Sequence, residues 1–207
     1  METAWSVFYG AVGTLGMLHG IADAFQIPYD QKMIFIWIVL SSVIWGIAFG
    51  WKRHRKYLFP AAVGLFVWIG LWRWKEICEG ICRSMERMTE AINAYYQFSW
   101  DTVQYVKTGG ISTEQTAILV AGVFVSGLLV GGFLQKKGRI LLAVLFAFGF
   151  LAPFLVGKVP ENRTVWELLI GIMGLLAMQT ALPGKQRKIK FFGTLRRNLE
   201  WLEKKLG

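Results

Sequence analysis

Charged side chains are scarce in this sequence: Asp, Glu, Lys and Arg make up 17% of 207 residues, against about 25% in soluble domains. That shortage excludes an ordinary soluble fold. Cysteine is nearly missing. Cys78 and Cys82 are too few for a disulfide framework, and four apart on one helix they share a face without the geometry of a bridge. Together with His19 they still leave a metal site one ligand short, and neither C-x-x-C nor H-x-x-x-H spacing occurs, so no metal is expected. There is no Gly-rich phosphate loop, no Ser-His-Asp set and no carboxylate pair within an apolar segment. The expectation is a chain that is not an enzyme and carries no cofactor. No Lys or Arg precedes the first apolar run and no small-residue cleavage pattern follows it, so that run reads as a retained span.

What is present is apolar: 55% of residues are hydrophobic, 15% aromatic, and the mean hydropathy is +0.44. A spanning helix needs about 20 apolar residues, and six segments qualify, at residues 3–22, 32–51, 57–74, 115–134, 139–157 and 165–182. Each is 18 to 20 residues long, matching a hydrocarbon core of about 30 Å. In the first, Gly10, Gly13, Gly16 and Gly20 lower the hydrophobicity and suggest a helix packed on neighbours rather than one bathed in lipid. Capping residues mark the starts of others: Asp30 before the second, Ser112 with Gln115 before the fourth, Thr164 with Glu167 before the sixth. Gly127 and Gly131 form a close-packing motif in the fourth.

The formal charge is +10, which in a soluble protein would suggest nucleic acid. Its distribution says otherwise. Fifteen of the 23 basic residues lie in three places: Lys52 to Lys56, Lys136 to Arg139, and the tail after the sixth segment. The remaining eight share their connections with ten of the 13 carboxylates. Short cytoplasmic loops carry the Lys/Arg excess. The expected topology therefore places both termini in the cytoplasm of a bacterial cell and residues 75–114 outside, with no nucleic-acid partner.

The outer connection contains Ile77, Ile81, Met85, Met88, Ile92 and Tyr95 at spacings of three and four, an amphipathic helix that ends in an aromatic cluster, Tyr95, Tyr96, Phe98 and Trp100, suited to lipid headgroups. It reads as a cap lying on the bundle, with ligand or partner binding as the alternative. Residues 185–207 pair a stripe of Phe192, Leu195, Leu199, Leu202 and Leu206 with Lys185, Arg187, Lys188, Lys190, Arg196, Arg197, Lys204 and Lys205. Such a basic amphipathic tail lies on anionic inner-leaflet lipids or pairs with another helix, in a homo-oligomer or with a membrane-protein partner. The division expected is a six-span membrane domain, residues 1–184, and this tail.

Ionisable groups inside a membrane are candidates for function, since burying one costs at least about 2.5 kcal/mol. Four fall at the outer ends of segments: His19, Asp23, Arg73 and Glu167. They would meet in one outer-leaflet polar vestibule. Each also has a simpler reading: Glu167 in its capping box, Arg73 as a snorkelling anchor between Trp72 and Trp74, Asp23 in water. Asn162-Arg163-Thr164 matches a glycosylation acceptor.

Three spans, an outer helix ending in Ala91-Ile92-Asn93-Ala94-Tyr95-Tyr96, and three further spans with Pro153 and Pro160 around the fifth complete the layout. Over residues 1–184 it resembles the N-terminal multipass region of bacterial membrane-bound transglutaminase-like proteins, in which a Cys-His-Asp papain-like domain follows outside the membrane. The resemblance carries over no catalytic residue to this chain. The sequence as a whole leads to an all-α integral membrane protein, a six-helix bundle acting as an anchor or scaffold. A small transporter or channel subunit is the alternative.

Overall fold

The computed structural model describes residues 2–51, 53–100, 111–135 and 139–180, and every regular element among them is helical. In chain order these are α1 (Glu2–Phe25), α2 (Gln31–Gly50), α3 (Arg55–Trp72), α4 (Trp74–Tyr96), α5 (Ile111–Gln135), α6 (Arg139–Leu155) and α7 (Asn162–Thr180). Contacts divide the chain into a compact unit of residues 1–175 and a second of 176–207, where only 176–180 are described. The basic tail, with Lys185, Arg187, Lys188, Lys190, Arg196, Arg197, Lys204 and Lys205, thus lies outside the described residues.

By length and composition α2 and α5 are each able to cross a membrane, and α3 with α4, bent by 79° at Arg73, counts as a third such segment. The remaining apolar helices fall short of that standard for visible reasons. Glycine and the polar residues His19 and Asp23 dilute α1, and α6 is 17 residues long. Helix ends follow local chemistry. Asp30 caps α2 by accepting from Lys32 N at 2.9 Å and Met33 N at 3.3 Å. α6 ends in Gly157 at φ 67°, the left-handed position that glycine occupies without strain. α1 stops at Gln26, which takes the same left-handed turn at φ 54° while Ile27 N donates back to Ala22 O.

α1 is the hub. From Gly10 to Gly20 every residue but Val12 is buried, with α2, α5 and α6 packed around it. Its glycines are the points of closest approach. A methyl at Gly20 would sit 2.5 Å from the Gly149 carbonyl oxygen of α6, and one at Gly16 would sit 2.9 Å from the Leu168 nitrogen of α7. Absent side chains let helix backbones approach where lipid-like packing alone drives association. On α5 the Gly127 and Gly131 pair seats rings instead, Trp45 on one and Phe49 on the other. Leu15, Leu18, Phe25, Ile34, Ile38 and Ile118 form the centre of the main apolar cluster.

Several polar side chains at mid-helix are bonded across or along the helices, while Ser42 Oγ and Trp37 Nε1 on α2 are buried without a hydrogen-bond partner. The hydroxyls of Ser41 and Ser126 lie 3.0 Å apart between α2 and α5, Trp45 Nε1 donates to Val123 O at 3.0 Å, and Thr14 donates to Gly10 O at 2.7 Å. α3 is the opposite of α1: Ala62 alone is buried, while Tyr57, Trp68, Leu71 and Trp72 stand open. α4 starts at the bend and crosses the end of the bundle where α1 finishes. Met88, Ala91 and Ile92 rest on the main cluster, and the Tyr95 ring lies over Gly157.

Candidate functional site

At that end of the bundle α1 and α6 finish and α2, α5 and α7 begin, so helix termini and their polar groups converge. His19 comes from the last turns of α1 and is 2% exposed. Its Nδ1 is hydrogen-bonded to Oε2 of Glu167 in α7 at 2.6 Å. Glu167 Oε1 accepts from Arg163 Nε at 2.9 Å, one helical turn earlier. That i,i+4 pair leaves the carboxylate shared between a guanidinium at the rim and an imidazole inside. The other imidazole nitrogen, Nε2, is buried without a hydrogen-bond partner.

Asp23, one turn beyond His19, accepts from the Tyr29 hydroxyl at 3.0 Å, and the Tyr29 ring stacks on His19 with centroids 5.6 Å apart. Burial, and beside it the Asp23 carboxylate, push the Tyr29 phenol above its usual range, so it stays a donor. Lys158 donates to Ala24 O at 3.0 Å, a cation placed at the carbonyl-rich end of α1. Between these groups lies a cavity of 270 Å³ bordered by Asp23, Lys158, Glu161 and Thr164. A second, of 420 Å³, opens under α4 between Arg87, Glu90 and Tyr95 on one side and Phe25, Val156 and Lys158 on the other. Arg87 clamps it: Nε reaches both carboxylate oxygens of Glu114, at 3.1 and 3.0 Å, and a terminal nitrogen reaches Gln26 O. Glu114 is 5% exposed, so this pair is buried on its acidic side.

Of the four candidate residues, the fold joins His19 to Glu167 directly and Asp23 to His19 through Tyr29. Arg73 lies elsewhere, at the α3–α4 bend, paired with Glu76 in the next turn and half exposed. The cation on Glu167 is Arg163. Its spacing from Glu167 is legible in the sequence, but there the same residue also falls in a glycosylation triplet. Tyr29 and the Arg87–Glu114 pair have no sequence signal, since neither contact follows a helical repeat. The aromatic cluster is an exposed stack, Tyr96 on Phe98 and Phe98 on Trp100, with centroids 5.6 and 5.3 Å apart.

Chemically the site can hold a proton between imidazole and carboxylate and can present mixed charge to a small polar group. Among the described residues no three of His, Cys, Asp and Glu gather as a metal-holding set. Cys78 and Cys82 are free, half-buried thiols on α4. Compared with family models, curated proteins and solved structures, the chain matches none.

Proposed function

We propose that this chain is a non-enzymatic polytopic anchor or scaffold of a bacterial cytoplasmic membrane assembly. In this reading α1, α2, α3, α5, α6 and α7 cross the bilayer, α4 lies across the outer end, both termini are cytoplasmic, and the basic tail rests on anionic lipids. The observation that carries it is the use made of polar groups at mid-helix depth. Ser41, Ser126, Trp45 and Thr14 are bonded within the helix packing rather than aligned along a path. The buried ion pairs gather instead at one end, where His19–Glu167 ties α1 to α7 and Arg87–Glu114 ties α4 to α5. The resemblance to a membrane region that carries an external domain fits the same role.

Proteoliposomes containing the purified chain should leak ions and small solutes no faster than empty vesicles. A photo-crosslinker at Met85, exposed on α4, should capture one discrete protein in native membranes. A reporter after Gly207 should be active only in the cytoplasm, and a cysteine at Thr108, in a background lacking Cys78 and Cys82, should react from outside. A small transporter or channel subunit is the second reading, favoured by the buried His19–Glu167 pair close to a polar cavity. Solute flux above the empty-vesicle level that falls with His19→Leu would move the assignment there.

A further inference from the structure

α3 meets α2 through an aromatic stack, with Phe66 on Trp45 at 5.2 Å and Phe59 on Phe49 at 5.3 Å. Beside that stack, up to the α3–α4 bend, α3 stands off the α2–α5 pair and leaves a cavity of 440 Å³. Trp37, Trp45, Phe66, Gly70, Trp74 and Phe124 are among its walls, and none of the described residues that line it is charged. Two of its walls, α2 and α5, are the helices long and apolar enough to cross a membrane. It is also continuous with the apolar surface of those helices: Phe124 is 65% and Leu128 47% exposed at its edge. At roughly 30 Å³ for a water-sized group such as a methylene, the space holds the greater part of an acyl chain. The residues around its end at the α3–α4 bend are different in kind. Trp74 lines it, and Arg73 and Lys75, both exposed, flank that residue in sequence. Arg73 contacts Glu76 through one terminal nitrogen, so the guanidinium has further donors to offer.

We propose that this groove binds one anionic phospholipid from the leaflet at the α3–α4 bend, with a hydrocarbon chain between α3 and the α2–α5 pair and the phosphate on Arg73 and Lys75. The lining, almost wholly aliphatic and aromatic carbon, selects the chain. The two exposed cations on either side of Trp74 in sequence select the head, as basic residues at a bilayer surface do. Neither the anchor nor the transporter reading requires this site, and it stands or falls without them.

The test uses the full chain in mild detergent and in vesicles. Native mass spectrometry should find one phosphatidylglycerol per chain, and phosphatidylglycerol brominated on its chain should quench tryptophan fluorescence saturably. It should do so about thirtyfold more tightly than brominated phosphatidylcholine, as expected for two basic contacts at about 1 kcal/mol each. Gly70→Leu fills the groove where an added Cβ meets nothing within 4 Å, and it should abolish the saturable quenching by both lipids. Gly70→Ala should weaken it in part, and unchanged thermal unfolding of both variants shows that they fold. Arg73→Gln with Lys75→Gln should keep chain binding and lose the preference for phosphatidylglycerol. The proposal is overturned if the two lipids bind equally, if Gly70→Leu is quenched like the native chain, or if quenching never saturates. It is equally overturned if an isoprenyl phosphate displaces the phospholipid, or if the groove proves closed by a second copy.

Discussion

Between Gly10 and Gly20 α1 runs through the middle of the bundle with only Val12 short of full burial, whereas α3, of similar apolar character, buries Ala62 alone. Both helices contain glycine, and the same residue has opposite meaning in them. In α1 each glycine marks a place where another helix touches; in α3 an added Cβ at Gly64 or Gly70 would meet nothing within 4 Å. Apolar character therefore does not rank these helices by burial. A helix enclosed by protein needs small residues for contact, while one facing lipid needs bulky apolar side chains. Tyr57, Trp68, Leu71 and Trp72 are what α3 presents.

The sharpest way to break this contrast is to add bulk at matched glycines. Gly20→Leu drives a side chain into the Gly149 carbonyl, where the obstacle is backbone and cannot rotate away. The expected loss is about 3 kcal/mol or more, read as thermal unfolding in detergent. Gly64→Leu and Gly64→Ala should both leave stability intact or raise it, by up to about 0.5–1 kcal/mol, through backbone entropy. Equal losses at positions 20 and 64 would mean that α3 is packed in solution as tightly as α1.

A smaller effect is expected where α1 carries polarity. His19→Leu removes the inner partner of Glu167 and leaves a carboxylate, 16% exposed, held by Arg163 alone. The cost should be about 1.5–3 kcal/mol, the range for hydrogen bonds to charged groups. Glu167→Gln keeps an acceptor for the imidazole and should cost less. If His19→Leu were neutral, the pair would contribute nothing to holding α1 against α7.

Smaller again is the hydroxyl contact between Ser41 and Ser126. Hydrogen bonds between membrane helices average about 0.6 kcal/mol by double-mutant cycles. Each serine also has a carbonyl of its own helix within reach, so alanine at either position should cost about that much, and both together little more. Additive losses would show that the two hydroxyls do not act as one contact.

Much of α1 was legible beforehand, because four glycines in a weakly apolar span indicate helix contact whatever the partner. Span boundaries also assign His19, Asp23, Arg73 and Glu167 to one end, and of these the structure joins His19 to Glu167 and, through Tyr29, to Asp23. What span boundaries do not encode is the order of helices around the bundle. Hydropathy gives each residue a height and no azimuth, so it cannot tell that α7 lies against α1 while α3 is separated from it by α2. The end of α1 was obscured by Gln26, a residue without the usual preference for the left-handed turn it makes. The Arg87–Glu114 clamp joins elements through a connection, residues 97–110, that carries no periodic pattern.

The smallest predicted effect separates azimuth from height. Arg73 and Arg163 are both arginines expected near the same membrane surface, yet Arg163 bonds Glu167 and Arg73 bonds Glu76. The Arg73–Glu76 pair is 51% and 39% exposed, so solvent screens it, and Arg73→Gln should change stability by less than about 0.5 kcal/mol. Arg163→Gln should cost somewhat more, because its partner is also held by His19 and is largely screened from water. In a double-mutant cycle with Glu167→Gln, Arg163→Gln should show coupling of about 0.5 kcal/mol or above, the threshold at which neighbours depart from additivity. Arg73→Gln should show none. Coupling of Glu167 to Arg73 instead would require α3 to approach α7, and with it a helix order in which α1 is no longer the hub.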